Sequence, residues 1–296
     1  MTNSFTASSM ASAFTGLLPS ELEPKGIGWG GCYYKKNEEE KKHWNSKFVF
    51  NKLPENWKVI TYADEKNKVW LTNNLCGVDQ NFDQRVHKNY DDEIQIIKQI
   101  QEDKDGNQIY WIKYDHYHDE HSEKSVKRFL QILESIDFNE PDTFFWLFSD
   151  HGEWGKIDTF MKPPHSSVGW NVVVDNITNF TDYREICHIT DFYHYVMKIS
   201  NNVEPNLMED YYFCEDGRAS VSLYSTTTFS VLTKIKNSEI VQASYYKGSV
   251  KIYHFDYESR LLKESKVMKL DDMNTDGLSI LKNKLLDVYG ERINNG

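Results

Sequence analysis

The sequence contains few cysteines, no block of basic residues and no long apolar run. Its 296 residues include four cysteines, and no two of them form a CxxC pair. This spacing argues against a zinc ribbon and against a dense disulfide framework, and it favours buried free thiols. No apolar run approaches the roughly 20 residues that cross a bilayer, so we expect no membrane span. The four cysteines are Cys32, Cys76, Cys187 and Cys214.

The charge balance is acidic, because 45 Asp and Glu residues outnumber 34 Lys and Arg residues and give a formal net charge of −11. Nucleic-acid backbones are bound by clustered Lys and Arg, so we expect no nucleic-acid partner. The start of the chain also lacks a basic segment followed by an apolar one, which is the pattern of a secretory signal. We therefore expect a cytoplasmic protein if Met1 is the natural start.

The apolar content indicates a folded protein in which helices alternate with strands. Hydrophobic residues make up 39% of the chain and aromatic residues 14%, which is too much for a disordered protein. Lys68 to Thr72 and Gln108 to Lys113 are predicted strands, whereas Asp91 to Glu102 and Ser125 to Ile136 are predicted helices. In the second helix one apolar stripe is expected to pack on a sheet. Its members are Val126, Phe129, Leu130, Leu133 and Ile136.

Four more segments extend this α/β pattern. The unbroken apolar run from Asp142 to Ser149 is typical of a strand buried on both faces in a largely parallel sheet, and Trp170 to Asp175 is a similar strand. Asp182 to Ile199 is a predicted long helix, and Ser9 to Leu18 a short buried helix. Together these segments predict an α/β/α sandwich with a largely parallel central sheet in residues 1–205.

The sequence changes its pattern from about Tyr211 onward. Stretches rich in Tyr, Ser, Thr and Val predict an antiparallel sheet, and Asp276 to Tyr289 is a predicted last helix. We therefore expect a C-terminal subdomain in residues 206–296, packed on the first, with the boundary near Glu204 to Met208.

The sharpest local signal for chemistry is the turn Ser149-Asp150-His151-Gly152-Glu153, directly after a predicted strand. In open α/β sheets ligands bind beyond the carboxyl ends of the strands. A carboxylate and an imidazole on one tight turn can both face a metal ion, which favours Asp150 and His151 as metal ligands. The alternative is that Asp150 caps the next element and that His151 is a surface histidine.

A second signal is the hydroxyl of Thr6 at the start of the predicted first helix. Free backbone N–H groups and the helix dipole stabilise negative charge there, so a hydroxyl in the first turn is well placed to attack an anionic centre. The alternative is ordinary helix capping by Thr6, Ser8 or Ser9.

Several histidines are further candidates. His116, His118 and His121 lie in one segment with two carboxylates, and they could supply one or two ligands to a second metal ion, although a solvated polar loop is the simpler interpretation. His165 follows two prolines. His188 lies within the predicted helix and is expected to pack or cap rather than to bind metal.

The Ser149–Glu153 turn and the segment that begins at Thr6 together resemble motifs of the sulfatase family of the alkaline phosphatase superfamily. Its nucleophile motif has Cys or Ser, any residue, Pro, Ser and Arg, followed after four residues by Thr-Gly and then Pro. Counting back from Thr15-Gly16 places Thr6 at the nucleophile position. The family also carries a Ser-Asp-His-Gly-Glu turn after an apolar strand, as residues 149–153 do here. Weaker similarities in the family's order are Lys68 to Asn74, Tyr117 to Ser122 and Glu185 to Met197.

The resemblance implies an alkaline phosphatase-like fold and a metal-dependent hydrolase or transferase. Asp150, His151 and Thr6 would hold a divalent ion, which could be Ca, Mn, Mg or Zn. His121 would contact the substrate or the leaving-group oxygen, and Lys156 or Lys162 would hold a non-bridging oxygen. His118 and His165 are further candidates for binding the substrate, a small-molecule or polymeric anionic ester.

Three departures from the family pattern refine this expectation. Thr6 replaces the Cys or Ser that is oxidised to formylglycine, which favours a phosphate ester over a sulfate ester. Ser8 and Met10 replace the motif's Pro and Arg. The family's first strand, with its metal-binding Asp, has no counterpart because only five residues precede Thr6. The second hypothesis is therefore a catalytically silent homologue or fragment that acts as a binding or structural module.

Overall fold

A computed structural model describes sixteen segments of the chain, and its elements are numbered here in chain order. The described residues are 6–18, 21–22, 33–34, 41–42, 48–64, 82–87, 90–112, 123–148, 160, 171–178, 188–207, 211–215, 228–234, 239–256, 259 and 261–295. The helices are α1 (Thr6–Thr15), α2 (Tyr90–Glu102), α3 (Glu123–Glu134), α4 (Asp191–Asn201) and α5 (Asp276–Asn295), with short 3₁₀ turns at Val49–Lys52 and Leu270–Asp272. The strands are β1 (Tyr33–Tyr34), β2 (Lys41–Lys42), β3 (Trp57–Asp64), β4 (Phe82–His87), β5 (Asn107–Ile112), β6 (Phe144–Phe148), β7 (Asn171–Asp175), β8 (Tyr211–Glu215), β9 (Thr228–Lys234), β10 (Glu239–Tyr246), β11 (Ser249–Asp256) and β12 (Leu262–Lys269).

The parallel part of the described structure is a three-stranded sheet in the order β4-β3-β5. Both pairings are parallel: Val59 lies opposite Phe82 on β4 and opposite Ile109 on β5. The predicted helix and strand that correspond to α2 and β5 are confirmed. The predicted strand Lys68 to Thr72 lies outside the described residues.

The expected direction of the two apolar strands was wrong. β6 and β7 pair antiparallel, with Phe144 opposite Asp175 and Phe148 opposite Asn171, and β6 is half-buried along its whole length. An unbroken apolar run predicts that both faces of the strand are covered, which is only partly so in β6, and it does not predict the direction of the neighbouring strand. The described residues thus form a mixed α/β structure, and the α/β/α sandwich around a larger parallel sheet stays a prediction.

Two predicted helices differ from the structure in detail. α4 begins at Asp191, and residues 188–190 before it form a turn, so the described part of this helix begins later than predicted. In α3, Val126 and Leu130 of the predicted stripe are 45% and 50% exposed. Periodicity predicts an amphipathic helix, but the coverage of its apolar stripe depends on distant segments.

The first core surrounds α1. Residues 9–15 are all buried, and small side chains on this helix let its neighbours approach closely. The ring of Phe14 lies 4.8 Å from that of Phe50 and 6.0 Å from that of Phe192 on α4. The predicted short buried helix is therefore confirmed, and it lies at the centre of this core.

The C-terminal residues form a five-stranded antiparallel sheet in the order β12-β11-β10-β9-β8, with α5 packed against one face. A two-residue turn, Lys247-Gly248, joins β10 to β11, and both residues have positive φ, as a tight hairpin requires. The ring of Tyr289 on α5 stacks on that of Phe229 at 4.4 Å. The predicted antiparallel sheet and last helix are confirmed, and the subdomain boundary after residue 205 stays a prediction.

Leu18 and His188 connect the two parts of the chain. Leu18 follows α1 and is buried in the core between the C-terminal sheet and α5. His188 Nε2 lies 3.0 Å from the carbonyl oxygen of Phe213 on β8. Among the described residues, none of the helices is both long and apolar enough to cross a membrane.

Gly16 ends α1 in a left-handed conformation, with φ of 73°, and its N–H donates to the carbonyl of Ser12 at 3.0 Å. A Cβ at this position would lie 3.0 Å from Cδ1 of Tyr193, whereas at Gly106, with φ of 77°, nothing lies within 4 Å.

We predict that Gly16→Ala lowers the free energy of unfolding by more than Gly106→Ala does. The Gly106 variant carries only the backbone cost, about 1–2 kcal/mol, whereas the Gly16 variant adds a steric clash with the Tyr193 ring. Urea unfolding followed by circular dichroism measures both variants. Equal losses would show that Tyr193 moves away at no cost and that this packing is loose.

Candidate functional site

Two described elements lead to the predicted nucleophile and metal ligands. Thr6 is the first residue of α1, and β6 ends at Phe148, directly before Ser149. The side chain of Thr6, and Asp150 and His151 entirely, lie outside the described residues. The structure therefore describes the start of α1 and the strand that precedes the Asp-His turn. That Thr6, Asp150 and His151 meet at one metal ion stays a prediction.

The other candidates lie outside the described residues as well. They follow β5 or β6 in the chain and comprise His118, His121, Lys156, Lys162 and His165. Their convergence with Asp150 stays a prediction.

Aromatic packing brings the carboxyl ends of β5 and β6 together. Trp111, the second-last residue of β5, has its ring 5.6 Å from that of Phe148, the last residue of β6. The same indole packs edge-on against Phe14 of α1 at 5.0 Å. Because the histidine-rich segment follows β5 and the Asp-His turn follows β6, both candidate segments start from neighbouring strand ends.

The length of α1 separates Thr6 from this cluster. Phe14 lies eight residues after Thr6, so their Cα atoms are about 12 Å apart along the helix axis. Met10, one turn before Phe14, is 4% exposed and belongs to the same core. The first turn of a helix carries unsatisfied backbone N–H groups and the positive end of the dipole, which suits an anionic group there.

His188 is a buried structural residue, as predicted. Its Nδ1 lies 2.6 Å from Oγ1 of Thr190, and its Nε2 lies 3.0 Å from the carbonyl oxygen of Phe213. Its backbone N–H donates to Oδ2 of Asp191 at 2.9 Å. Both ring nitrogens thus face protein groups, and the residue links the start of α4 to β8 rather than lying inside the helix.

The sequence analysis missed a polar cleft of about 440 Å³ at the amino-terminal ends of the parallel strands. This cleft lies at the end of the sheet opposite to the one where α/β proteins usually bind ligands. Three separate segments contribute its walls, so no local motif marks it. It is lined by Lys58, Val59, Ile60, Asp83, Arg85, Asp103, Asp105 and Gln108.

Hydrogen bonds orient the charged side chains along this cleft. The Arg85 guanidinium donates to Asp83 Oδ2 at 2.8 Å and to the hydroxyl of Tyr62 at 2.7 Å. The pKa of Arg85 is raised, chiefly by the hydrogen bond to Asp83. On the other side, the hydroxyl of Tyr110 donates to Asp103 Oδ2 at 2.6 Å.

The Tyr110–Asp103 pair shifts both groups away from their ordinary pKa values. The pKa of Tyr110 is raised, first by burial and then by the hydrogen bond to Asp103, because both oppose the phenolate. The pKa of Asp103 is lowered, chiefly by the hydrogen bond from Tyr110, which stabilises the carboxylate. Neither shift moves its group toward neutral pH, so neither Tyr110 nor Asp103 is suited to act as a catalytic acid or base there.

None of the predicted metal ligands has a described side chain. Among the described residues, no group of three or more His, Cys, Asp and Glu side chains could hold a metal ion. The chemistry of the predicted ligands fits one: a carboxylate, an imidazole and a hydroxyl are donors that Ca, Mn, Mg and Zn accept in different degrees.

Comparisons with known proteins leave the family open. No protein-family model matches the chain, and no curated protein matches it. Among solved structures, one chain shares 10% sequence identity and a TM-score of 0.44, over 99% of this chain and 87% of its own length. Its description reads "Metabolism of multiple glycosaminoglycans by Bacteroides thetaiotaomicron is orchestrated by a versatile core genetic locus", with a label ending in "4S-sulf". A similarity of this strength carries no argument about fold or activity.

We predict that Asp103→Asn lowers the pKa of Tyr110 but leaves it above the ordinary value, because burial is the larger cause of its shift. NMR titration of ¹³C-labelled tyrosine measures this pKa. Asp105→Asn is the matched control, since Asp105 takes part in this network through its backbone N–H and carbonyl. An unchanged pKa in Asp103→Asn would show that the two side chains do not interact.

Proposed function

We propose that this chain is a sulfatase-like, metal-dependent hydrolase or transferase that acts on a phosphate or sulfate ester. Thr6 is the proposed nucleophile, and a phosphate ester is the favoured substrate because Thr6 cannot form formylglycine by the usual route. The observation that carries the proposal is that α1 begins at Thr6. The resemblance of Thr6 to Pro19 and of Ser149 to Glu153 to two motifs of one family supports it.

The start of α1 suits attack by a hydroxyl on an anionic ester. The Thr6 hydroxyl would lose its proton and form a bond to phosphorus while the bond to the leaving alcohol breaks on the opposite side. Water or an acceptor alcohol would then take the phosphoryl group from Thr6 and restore its hydroxyl. The unsatisfied N–H groups of the first turn favour negative charge on the transferring group. A divalent ion bound to Asp150, His151 and Thr6 would lower the pKa of the hydroxyl and neutralise charge as the group is transferred.

The other candidates would orient the ester. His121 would contact the leaving-group oxygen, while Lys156 or Lys162 would hold a non-bridging oxygen as a point charge. His118 and His165 would bind the rest of the substrate. His118 and His121 follow β5 in the chain, and Lys156 follows β6. The ends of these two strands pack together through Trp111 and Phe148.

A catalytically silent homologue is the second candidate function. Met10 occupies the position at which the resembled motif has Arg, and it is buried in the first core with 4% of its surface exposed. A methionine supplies no charge to an anionic substrate, so this position contributes packing. In that case the chain would act as a binding or structural module.

We predict that Thr6→Ala lowers turnover of p-nitrophenyl phosphate by about 10³-fold or more, because the attacking oxygen is lost. Thr6→Ser keeps a hydroxyl and is expected to keep part of the turnover. Ser8→Ala is the matched control, since it removes another hydroxyl from the first turn of α1. Release of p-nitrophenol from the phosphate and the sulfate ester measures all variants and shows which ester is preferred.

Two results would reject the proposed nucleophile. Turnover that is unchanged in Thr6→Ala would assign the attack to another group, and a loss in Ser8→Ala equal to that in Thr6→Ala would indicate damage to the helix. A folded wild-type protein with no turnover of either ester would favour the silent homologue.

A further inference from the structure

β12 is the last strand of the C-terminal sheet and pairs on one side with β11. Among the described strands, none lies along its other side. Seven of its eight residues are exposed, and Leu262 and Val267 are each more than half exposed. An exposed edge strand presents unpaired N–H and C=O groups and is a template for another strand.

The charges of β12 determine which strand could pair with it. The strand carries Lys263, Lys266 and Lys269 and one acidic residue, Glu264. Lysines on an edge usually hinder pairing, because a second basic strand would place like charges opposite one another. A partner strand must therefore place acidic or apolar residues opposite these lysines.

A second β12 meets this requirement in an antiparallel register centred on Ser265. With Ser265 opposite Ser265 of the second copy, Glu264 lies opposite Lys266, and the symmetry repeats this pair on the other side of the axis. In the same register Lys263 lies opposite Val267, and Leu262 lies opposite Met268. Lys269 lies opposite Leu261, directly before the strand, so each of the three lysines faces either a glutamate or an apolar side chain.

The neighbouring symmetric registers are unfavourable. Centring the pair on Glu264 places two glutamates opposite each other, and centring it on Lys263 or on Lys266 places two lysines opposite each other. Like charges directly opposite each other destabilise a strand pair. Centring the pair on Val267 avoids like charges, but it pairs fewer residues of the strand and sets no glutamate opposite a lysine. Charge complementarity therefore favours the register centred on Ser265.

We propose that β12 pairs with β12 of a second copy of this chain, antiparallel and centred on Ser265. The two five-stranded sheets then form one continuous ten-stranded sheet around a two-fold axis normal to it. Opposite residues share a face in this arrangement, so each α5 lies on the same side of the joined sheet. The inference is independent of the proposed catalytic function.

Charge exchange at positions 264 and 266 tests the pairing. Glu264→Lys places lysines opposite lysines, and Lys266→Glu places glutamates opposite glutamates, so we expect each single variant to raise the dimer dissociation constant by roughly tenfold or more. The double variant restores opposite charges across the axis and is expected to restore dimerisation. Analytical ultracentrifugation over a concentration series measures all four proteins.

Cross-linking tests the register itself. Ser265→Cys brings two cysteines across the axis with their Cα atoms about 4.5–5.5 Å apart, which is within disulfide range. Lys263→Cys is the matched control, because it lies opposite residue 267 and about 13 Å along the strand from its own copy. We expect mild oxidation to cross-link only the Ser265 variant.

Four results would overturn this proposal. They are a monomeric wild-type protein at concentrations of about 100 μM, a dimer that the single charge variants leave unchanged, a double variant that stays as weak as the single ones, and cross-linking of Lys263→Cys as fast as Ser265→Cys. Circular dichroism of each variant establishes that the exposed substitutions leave the fold intact.

Discussion

The packing of Phe14 is the constraint on which the first half of the structure depends. Its ring is fully buried and touches aromatic side chains from a 3₁₀ turn, from β5 and from α4. Because residues 9–15 of α1 are all buried, strands and helices that are distant in the sequence adjust to it. The ends of β5 and β6 are thereby drawn together, and the start of α1 is fixed relative to them.

This arrangement explains why the chemistry of the chain is expected beyond the strand ends. The cleft at the opposite end of the parallel sheet holds charged groups that already bond to one another, and its Tyr110 and Asp103 have pKa values shifted away from neutrality. The histidines, carboxylates and lysines to which we assign the proposed ester chemistry follow β5 and β6 in the chain instead. Because the chain has a net charge of −11, binding of an anionic substrate would depend on such local positive groups.

Sequence patterns predicted those elements whose burial follows from local periodicity. The β-forming residues of β5 and of the C-terminal strands and the apolar positions of α1 and α2 needed no knowledge of distant residues. The antiparallel pairing of β6 with β7 and the exposure of Val126 and Leu130 depend on which distant segments meet, so periodicity could not predict them. The polar cleft was missed for the same reason, because β3, β4 and the residues before β5 each supply only part of it. The nucleophile and metal ligands stay predictions from motif resemblance.

The most direct test of this account is the metal content of the chain. After equilibration with each of Ca, Mn, Mg and Zn and removal of free ions, elemental analysis gives the ratio of ion to protein. The account predicts about one ion per wild-type chain for at least one metal, its loss in Asp150→Ala and its retention in Asp103→Asn. A wild-type protein that binds none of the four, or an Asp150→Ala variant that binds as well as wild type, would contradict it.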